Sequence, residues 1–289
     1  METPTPQPQQ NEKHELRHGN DSGRGPRLRE IPLRLVVPNL ITVLAICAGL
    51  SGVRLAFEGR FELAVGMVLL AAFLDGIDGR IARMMKATSK FGEQMDSLAD
   101  IVNFGVAPAL VVYAYLLDQA RSFGWIAALI YVIAAGLRLA RFNVMIERPV
   151  KAPWQAEFFV GVPAPMGAML VLLPVYLGFL GVEADRTFAY IAAGYTVLIG
   201  YFLISRLPVW SGKASRIRRD LVLPMILVVV LYVAMLMSFT WEVLVLTVAA
   251  YLIFIPFSAR LWHRRYGTLT IEEDGHGEAD GGDGLDRGI

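Results

Sequence analysis

The sequence predicts an all-α integral membrane protein of about eight transmembrane helices, preceded by a short N-terminal interfacial segment. Apolar residues make up 55% of the 289-residue chain and charged residues 18%, against roughly 45–50% and 25% in soluble domains. Eight mostly apolar windows, each near the roughly 20 residues that a hydrocarbon core requires, follow one another at about 36–57, 62–84, 96–117, 122–142, 160–181, 187–207, 220–239 and 242–262. Lys and Arg gather in every second connection. Segments 27–34, 80–90, 138–151, 206–219 and 260–265 hold 19 of them, whereas the intervening connections hold only Arg54, Arg60, Arg121 and Arg186. By the positive-inside bias, both termini and every basic segment face the cytosol.

Taken in order, residues 1–26 are polar and rich in Pro, Gln, Asn and Gly. They hold too few large apolar groups to offset the entropy of ordering, which predicts a disordered cytosolic tail. No apolar stretch follows their charges at the distance a signal peptide needs. From Arg27 to Val37, Arg is mixed with Ile and Leu, the pattern of a segment lying at the membrane surface with its arginines toward anionic headgroups. The membrane domain is expected over residues 27–267. Within it the windows at 62–84 and 96–117 contain charges, while the centres of the last two windows contain no ionisable residue and predict scaffold or dimer contacts. Residues 268–289 read as an acidic, Gly-rich cytosolic tail. From Glu272 onward they carry seven acids and one Arg, so the formal net charge of +1 combines a +7 body with a −6 tail. No internal repeat is evident, which argues against a transporter built from repeated halves.

The residue inventory narrows the chemistry. Cys47 is the single cysteine, which excludes a disulfide framework and a cysteine-rich zinc site. The histidines are His14, His18, His263 and His276, so no imidazole is available between residues 19 and 262 as a metal ligand or base. The core must work mainly with carboxylates.

Those carboxylates are patterned. The second window runs into Asp75-Gly76-Ile77-Asp78-Gly79-Arg80-Ile81-Ala82-Arg83, and the third opens on Gly92-Glu93-Gln94-Met95-Asp96-Ser97-Leu98-Ala99-Asp100. On a helix Asp75, Asp78 and Ala82 fall within about 60° of one face, and Asp96 and Asp100 share a face one turn apart. A short basic turn joins the two helices, so they pack antiparallel and bring four carboxylates together at the cytosolic edge of the hydrocarbon. Four unpaired anions there would each cost at least several kcal/mol. Protonation, pairing with Arg, or bound cations could remove that cost. Two divalent cations are the economical answer, and oxygen-only ligation favours Mg²⁺ or Mn²⁺, with Ca²⁺ possible, over zinc.

The string D-x2-D-G-x2-A-R-x8-G-x3-D-x3-D, here Asp75, Asp78, Gly79, Ala82, Arg83, Gly92, Asp96 and Asp100, spans 26 residues without a departure. It resembles the signature of the CDP-alcohol phosphatidyltransferase family. The resemblance implies a membrane enzyme, usually homodimeric, that displaces CMP from a CDP-linked lipid with an alcohol. It implies Asp75, Asp78 and Asp96 as metal ligands and Asp100 as ligand or catalytic base. It also implies that Gly79 gives close access to the CDP moiety, that Arg83 pairs with its phosphates, and that Ala82 belongs to the same CDP-lipid-binding stretch. Asn39 and Thr42, in Pro38-Asn39-Leu40-Ile41-Thr42, are expected to border the nucleotide, and Ser89 the lipid phosphate.

Further strings bear on the acceptor. Gly136-Leu137-Arg138-Leu139-Ala140-Arg141-Phe142-Asn143, Asn103 to Pro108, Phe159 to Pro165 and Ser205 to Lys213 look like the bacterial phosphatidylserine synthase branch, although that branch often has Ser where this chain has Asn103. The expected substrates are therefore CDP-diacylglycerol and L-serine, in a bacterial-type inner membrane and with no nucleic-acid partner. Serine brings a carboxylate, for which a bidentate Arg is the natural anchor, and Arg138 and Arg141 are the candidates. Glycerol 3-phosphate, inositol phosphate and choline remain alternative acceptors. A cation transporter, a reading from a different class, would spread its acids along a path through several spans.

Overall fold

The computed structural model describes residues 33–85, 89–147, 158–205, 208–210 and 221–277. The first helix, α1 (Leu33–Phe57), takes in Leu33 to Val37, so the described end of the expected interfacial segment continues directly into the first span. Residues 27–32 lie outside the described residues. Pro38 sits inside α1, and the Thr42 hydroxyl donates to its carbonyl at 3.1 Å. The next helix, α2 (Phe61–Met84), returns along α1. Their backbones meet at Gly52, where a Cβ would stand 2.9 Å from the Ala64 carbonyl oxygen and 3.1 Å from Val68 Cγ2. A larger residue there would force the pair apart.

After the turn, Ser89 caps α3 (Lys90–Asp100) by accepting from the Gly92 N–H at 3.0 Å. A π-helical turn, Ile101–Val106, then leads into α4 (Ala107–Tyr115). Lys90 to Tyr115 is thus one span with a widened turn directly after Asp100. A 3₁₀ turn (Leu117–Ala120) leads to α5 (Ser122–Glu147). The chain continues through β1 (Phe158–Val160), α6 (Ala164–Val171), α7 (Leu173–Phe179), α8 (Arg186–Ile204), β2 (Pro208–Trp210), α9 (Val222–Ser238) and α10 (Thr240–Gly277).

At two of the prolines that interrupt the helical ladder, Pro108 and Pro174, the same remedy appears. Pro108 has no N–H for the carbonyl of Phe104, four residues earlier; the Tyr131 hydroxyl of α5 donates to that carbonyl at 2.9 Å. Pro174 leaves the carbonyl of Leu170 in the same position, and the Tyr195 hydroxyl of α8 donates to it at 2.9 Å. The second break divides the expected window at 160–181 into α6 and α7.

Among the described residues, five helical stretches are long and apolar enough to cross a membrane: Val36–Phe57, Lys90–Tyr115, Ser122–Met145, Arg186–Ile204 and Thr240–Arg264. The protein is therefore a helical membrane protein. The other three windows are helical too. The end of α2 carries Asp75, Asp78, Arg80 and Arg83, and the stretches Ala164–Phe179 and Val222–Ser238 are shorter. The core runs through Val65, Tyr131, Leu170, Tyr176, Ile199, Leu203 and Leu244, while α9 buries no residue.

Two further features complete the backbone. Within the helical fold a short ribbon forms: β1 and β2 pair antiparallel, Phe158 opposite Trp210 and Val160 opposite Pro208. The packing of α6 on α8 brings the entry to one beside the exit of the other, and the extended backbones satisfy each other's hydrogen bonds. The backbone of α10 runs to Gly277, with no proline beyond Pro256 to stop it.

Candidate active site

The site forms where the C-terminal end of α2, the first two turns of α3 and the beginning of α1 converge. Helical spacing does what the sequence pattern requires. One carboxylate oxygen from each of Asp75, Asp78 and Asp96 lies within 4.8 Å of the others. Asp100 stands beside this trio, its carboxyl within hydrogen-bonding reach of Asp75. Asp78 is 2% exposed and held at both oxygens: Thr42 Oγ1 donates to Oδ2 at 2.6 Å and the Gly79 N–H to Oδ1 at 2.5 Å. Asp75 Oδ1 is buried with no hydrogen-bond partner.

Among the described residues, no Lys, Arg or His forms an ion pair with any of the four carboxylates. Arg83 and Arg138 act on Asp96 and Asp100 only from beyond contact distance. An all-carboxylate donor set with an orphaned buried oxygen fits hard, oxygen-preferring divalent cations, which these residues are equipped to hold. The acids occupy one cluster and do not trace a path across several spans, the arrangement a cation relay would need.

A cavity of about 270 Å³ opens against one side of the cluster. It is lined by Asn39 and Thr42 of α1, by Asp78, Gly79, Ala82 and Arg83 of α2, and by Ser89 and Asp96 at the start of α3. All six residues expected to bind the CDP-lipid thus border one space. Pro38, Gly92 and Glu93 line it as well. Of these Glu93 had not been singled out, although its place three residues before Asp96 puts it on the same helical face. A Cβ at Gly79 would meet nothing closer than Arg83 Nη1 at 3.7 Å. Protein packing therefore does not demand glycine here, and the open side faces the cavity.

The two arginines expected at the acceptor differ in their contacts. Arg138, 8% exposed, donates from Nε to the Val162 carbonyl at 2.5 Å and lies within electrostatic reach of Asp100. Its Nη1 and Nη2 make no hydrogen bond to any described residue. Arg141 instead donates from Nη1 to the Ile204 carbonyl at 2.7 Å and from Nη2 to that of Ser205 at 3.2 Å. These carbonyls belong to the open C-terminal end of α8. Beside them Gly161 adopts φ 78°, and a Cβ there would lie 2.8 Å from the Ser205 oxygen. Asn103, in the π-helical turn, is fully buried with neither amide atom hydrogen-bonded.

Residues 35–204 match the CDP-alcohol phosphatidyltransferase family, and residues 220–256 match a second family described as CDP-alcohol phosphatidyltransferase 2. A Mycobacterium leprae protein named CDP-diacylglycerol--serine O-phosphatidyltransferase is 38% identical over 236 residues, covering 81% of this chain and 77% of its own. A Helicobacter pylori protein of the same name is 37% identical over 174 residues, 59% of this chain and 70% of its own. An archaetidylserine synthase of Methanothermobacter thermautotrophicus is 30% identical over 172 residues, with the same two coverages. With the motif clustered as its spacing requires and the match extending from α1 through α8, the chain belongs to the CDP-alcohol phosphatidyltransferase family.

Proposed function

We propose that the protein transfers the phosphatidyl group of CDP-diacylglycerol to L-serine, releasing CMP and forming phosphatidylserine. The observation that carries this reading is the placement of Arg138. Its Nη atoms bond to no described residue, and its guanidinium lies within electrostatic reach of Asp100. The names of the relatives, which specify serine or archaetidylserine chemistry, support the same acceptor.

In this reading the cavity between α1 and α2 receives the CDP end of the donor. Asn39 and Thr42 border the nucleotide, Gly79 and Ala82 leave room for it, and Arg83 and Ser89 face the phosphates. Asp75, Asp78, Asp96 and Asp100 would hold two divalent cations, Mg²⁺ or Mn²⁺, which would neutralise charge on the phosphate oxygens. The Thr42 hydroxyl and the Gly79 N–H fix the Asp78 carboxylate so that it meets the donor in one orientation. The serine hydroxyl is a weak nucleophile. Asp100 takes its proton as it attacks the lipid-side phosphorus, and the O–P bond to CMP breaks. Arg138 holds the serine carboxylate through the two nitrogens it has free.

The proposal extends to the setting. It comprises eight membrane crossings, a homodimer, and a catalytic domain of residues 27–267 between tails at 1–26 and 268–289. Both termini and the active site face the cytosol of a bacterial inner membrane. The alternation of basic segments supports the orientation, and helices over all eight windows support the crossings.

The test is an assay of purified protein with labelled CDP-diacylglycerol and a panel of alcohols, scoring CMP release with Mg²⁺, Mn²⁺ or chelator. Serine-dependent release that chelator abolishes is expected. Release with another alcohol and not with serine would move the acceptor, and no release with any alcohol would overturn the enzymatic reading.

A further inference from the structure

Besides the cluster acids Asp78 and Asp96, a further carboxylate lines the donor cavity, that of Glu93. A cavity that receives a diphosphate gains nothing from an uncompensated anion, because like charges at close range repel. The backbone of Glu93 is engaged: its N–H donates to the Ser89 carbonyl at 3.0 Å, and its carbonyl accepts from Ser97 Oγ at 3.1 Å. Its carboxylate is not. The residue is exposed, and no cation or hydrogen-bond donor among the described residues meets its side chain. An acid in the first turn of α3 suits the helix dipole, but that role does not require the side chain to line the cavity.

The neighbours of Glu93 indicate which part of a donor it faces. The phosphates belong at the converging carboxylates of Asp75, Asp78 and Asp96. Glu93 lies about one turn before Asp96, toward the free end of α3 and away from that convergence. Beside it Gly92 abuts α1, where a Cβ would stand 3.1 Å from Asn39 Oδ1. Asn39 and Glu93 thus belong to one continuous wall, and the Asn39 amide makes no hydrogen bond to a described residue either. A carboxylate only accepts hydrogen bonds, whereas an amide both donates and accepts. Together they complement a group that presents an amino donor beside acceptors. Cytosine has such an edge; uracil does not, because its 4-oxygen would meet the carboxylate lone pair to lone pair.

We propose that Glu93 is a specificity-determining residue for the nucleobase of the donor, its carboxylate accepting from the 4-amino group of cytosine while the Asn39 amide donates to the ring acceptors. This rests on the reading of the cavity as the CDP-diacylglycerol site. The transferred phosphatidyl group is the same whether the leaving nucleotide carries cytosine or uracil, so the chemistry at phosphorus cannot tell the two apart. A wall beyond the phosphates can.

Glu93→Gln keeps the length of the side chain and replaces one acceptor oxygen with a donor, so that either base can be met. Full-length protein in vesicles, with saturating serine and divalent cation, would be assayed with CDP-diacylglycerol, UDP-diacylglycerol and 2′-deoxy-CDP-diacylglycerol. Equilibrium binding of CMP and of UMP would be measured on the same preparation. The wild type is expected to prefer the cytidine donor. The variant should lose about tenfold of that preference, the scale of one hydrogen bond to a charged group, and the ratio of CMP to UMP affinity should narrow by the same factor. The serine KM and the thermal midpoint should be little changed. A wild type without base preference, or an active variant that keeps it in full, overturns the role of Glu93 and leaves the donor site intact. A loss shared by the cytidine and uridine donors but absent with the 2′-deoxy donor moves the contact to the ribose and overturns the proposal. A lowered thermal midpoint with unchanged preference reduces Glu93 to a helix end and overturns it as well. A wild type that releases CMP with no alcohol overturns the donor reading and this one together.

Discussion

The Thr42 hydroxyl of α1 donates to Asp78 Oδ2 of α2 at 2.6 Å, across 36 residues of sequence. It joins the first span to the carboxylate cluster and fixes one of the three acids that converge within 4.8 Å. Because Thr42 also borders the donor cavity, one side chain links the shape of that cavity to the orientation of Asp78. Thr42→Val preserves shape and removes the bond. We expect kcat to fall about tenfold, in line with the value of one hydrogen bond to a charged group, and the cation concentration for half-maximal rate to rise. A cation titration of the variant against the wild type measures both.

Asp100→Asn keeps the size of the side chain and removes its ability to accept a proton. Turnover should be lost while CDP-diacylglycerol still binds. The comparison needs CMP release and equilibrium binding of the labelled donor on the same preparation. Near-normal turnover would take Asp100 out of the base role.

Gly79→Ala separates protein packing from substrate access. Glycine within a helix costs about 1 kcal/mol relative to alanine, and no protein atom lies closer than 3.7 Å to the new Cβ. The variant should melt no lower than the wild type, while its KM for CDP-diacylglycerol rises several-fold. A melting curve beside donor kinetics checks the two halves of this prediction.

The two arginines of α5 should part company on substitution. Arg138→Ala should raise the serine KM with the CDP-diacylglycerol KM little changed. Arg141→Ala removes donors from the carbonyls of Ile204 and Ser205, so it should lower the thermal midpoint and affect both substrates alike. Parallel kinetics and melting of the two variants decide the assignment.

Tyr195→Phe deletes the donor to the Leu170 carbonyl and nothing else. A buried carbonyl left open costs about 1–3 kcal/mol. A lowered thermal midpoint with unchanged KM values is expected, and a differential melt with an activity check measures it.

The parts of the site legible in the sequence are those set by a single helix or a short connection. Asp75 and Asp78 share a face because of helical pitch, as do Asp96 and Asp100, and a turn of a few residues leaves the two helices no choice but to meet. The expected CDP-lipid residues gathered for the same reason, since they lie on three consecutive helices. Arg141 was less legible. Its spacing from Arg138 suggested a shared carboxylate clamp; its contact with the end of α8, 63 residues away, is set by tertiary packing and has no mark in the sequence. The short ribbon of β1 and β2 escaped notice because its strands are three residues long and 50 residues apart, with no alternation to mark them. The window at 160–181 carried its own warning in Pro174, which apolar content alone overrides.

The tyrosines that complete the carbonyls of Phe104 and Leu170 bear on how the chain is assembled in the bilayer. In hydrocarbon an open carbonyl costs several kcal/mol, so a helix that borrows a donor from a neighbour is not a self-sufficient insertion unit. The span that ends in α4 is complete only when α5 lies beside it, and α6 with α7 only when α8 has followed. During synthesis from the N-terminus the first debt is settled by the very next span, and so is the second. The bilayer therefore receives these segments as two successive helix pairs, and a chain halted after α4 or after α7 would present a half-made helix to the lipid and to the machinery that removes such intermediates.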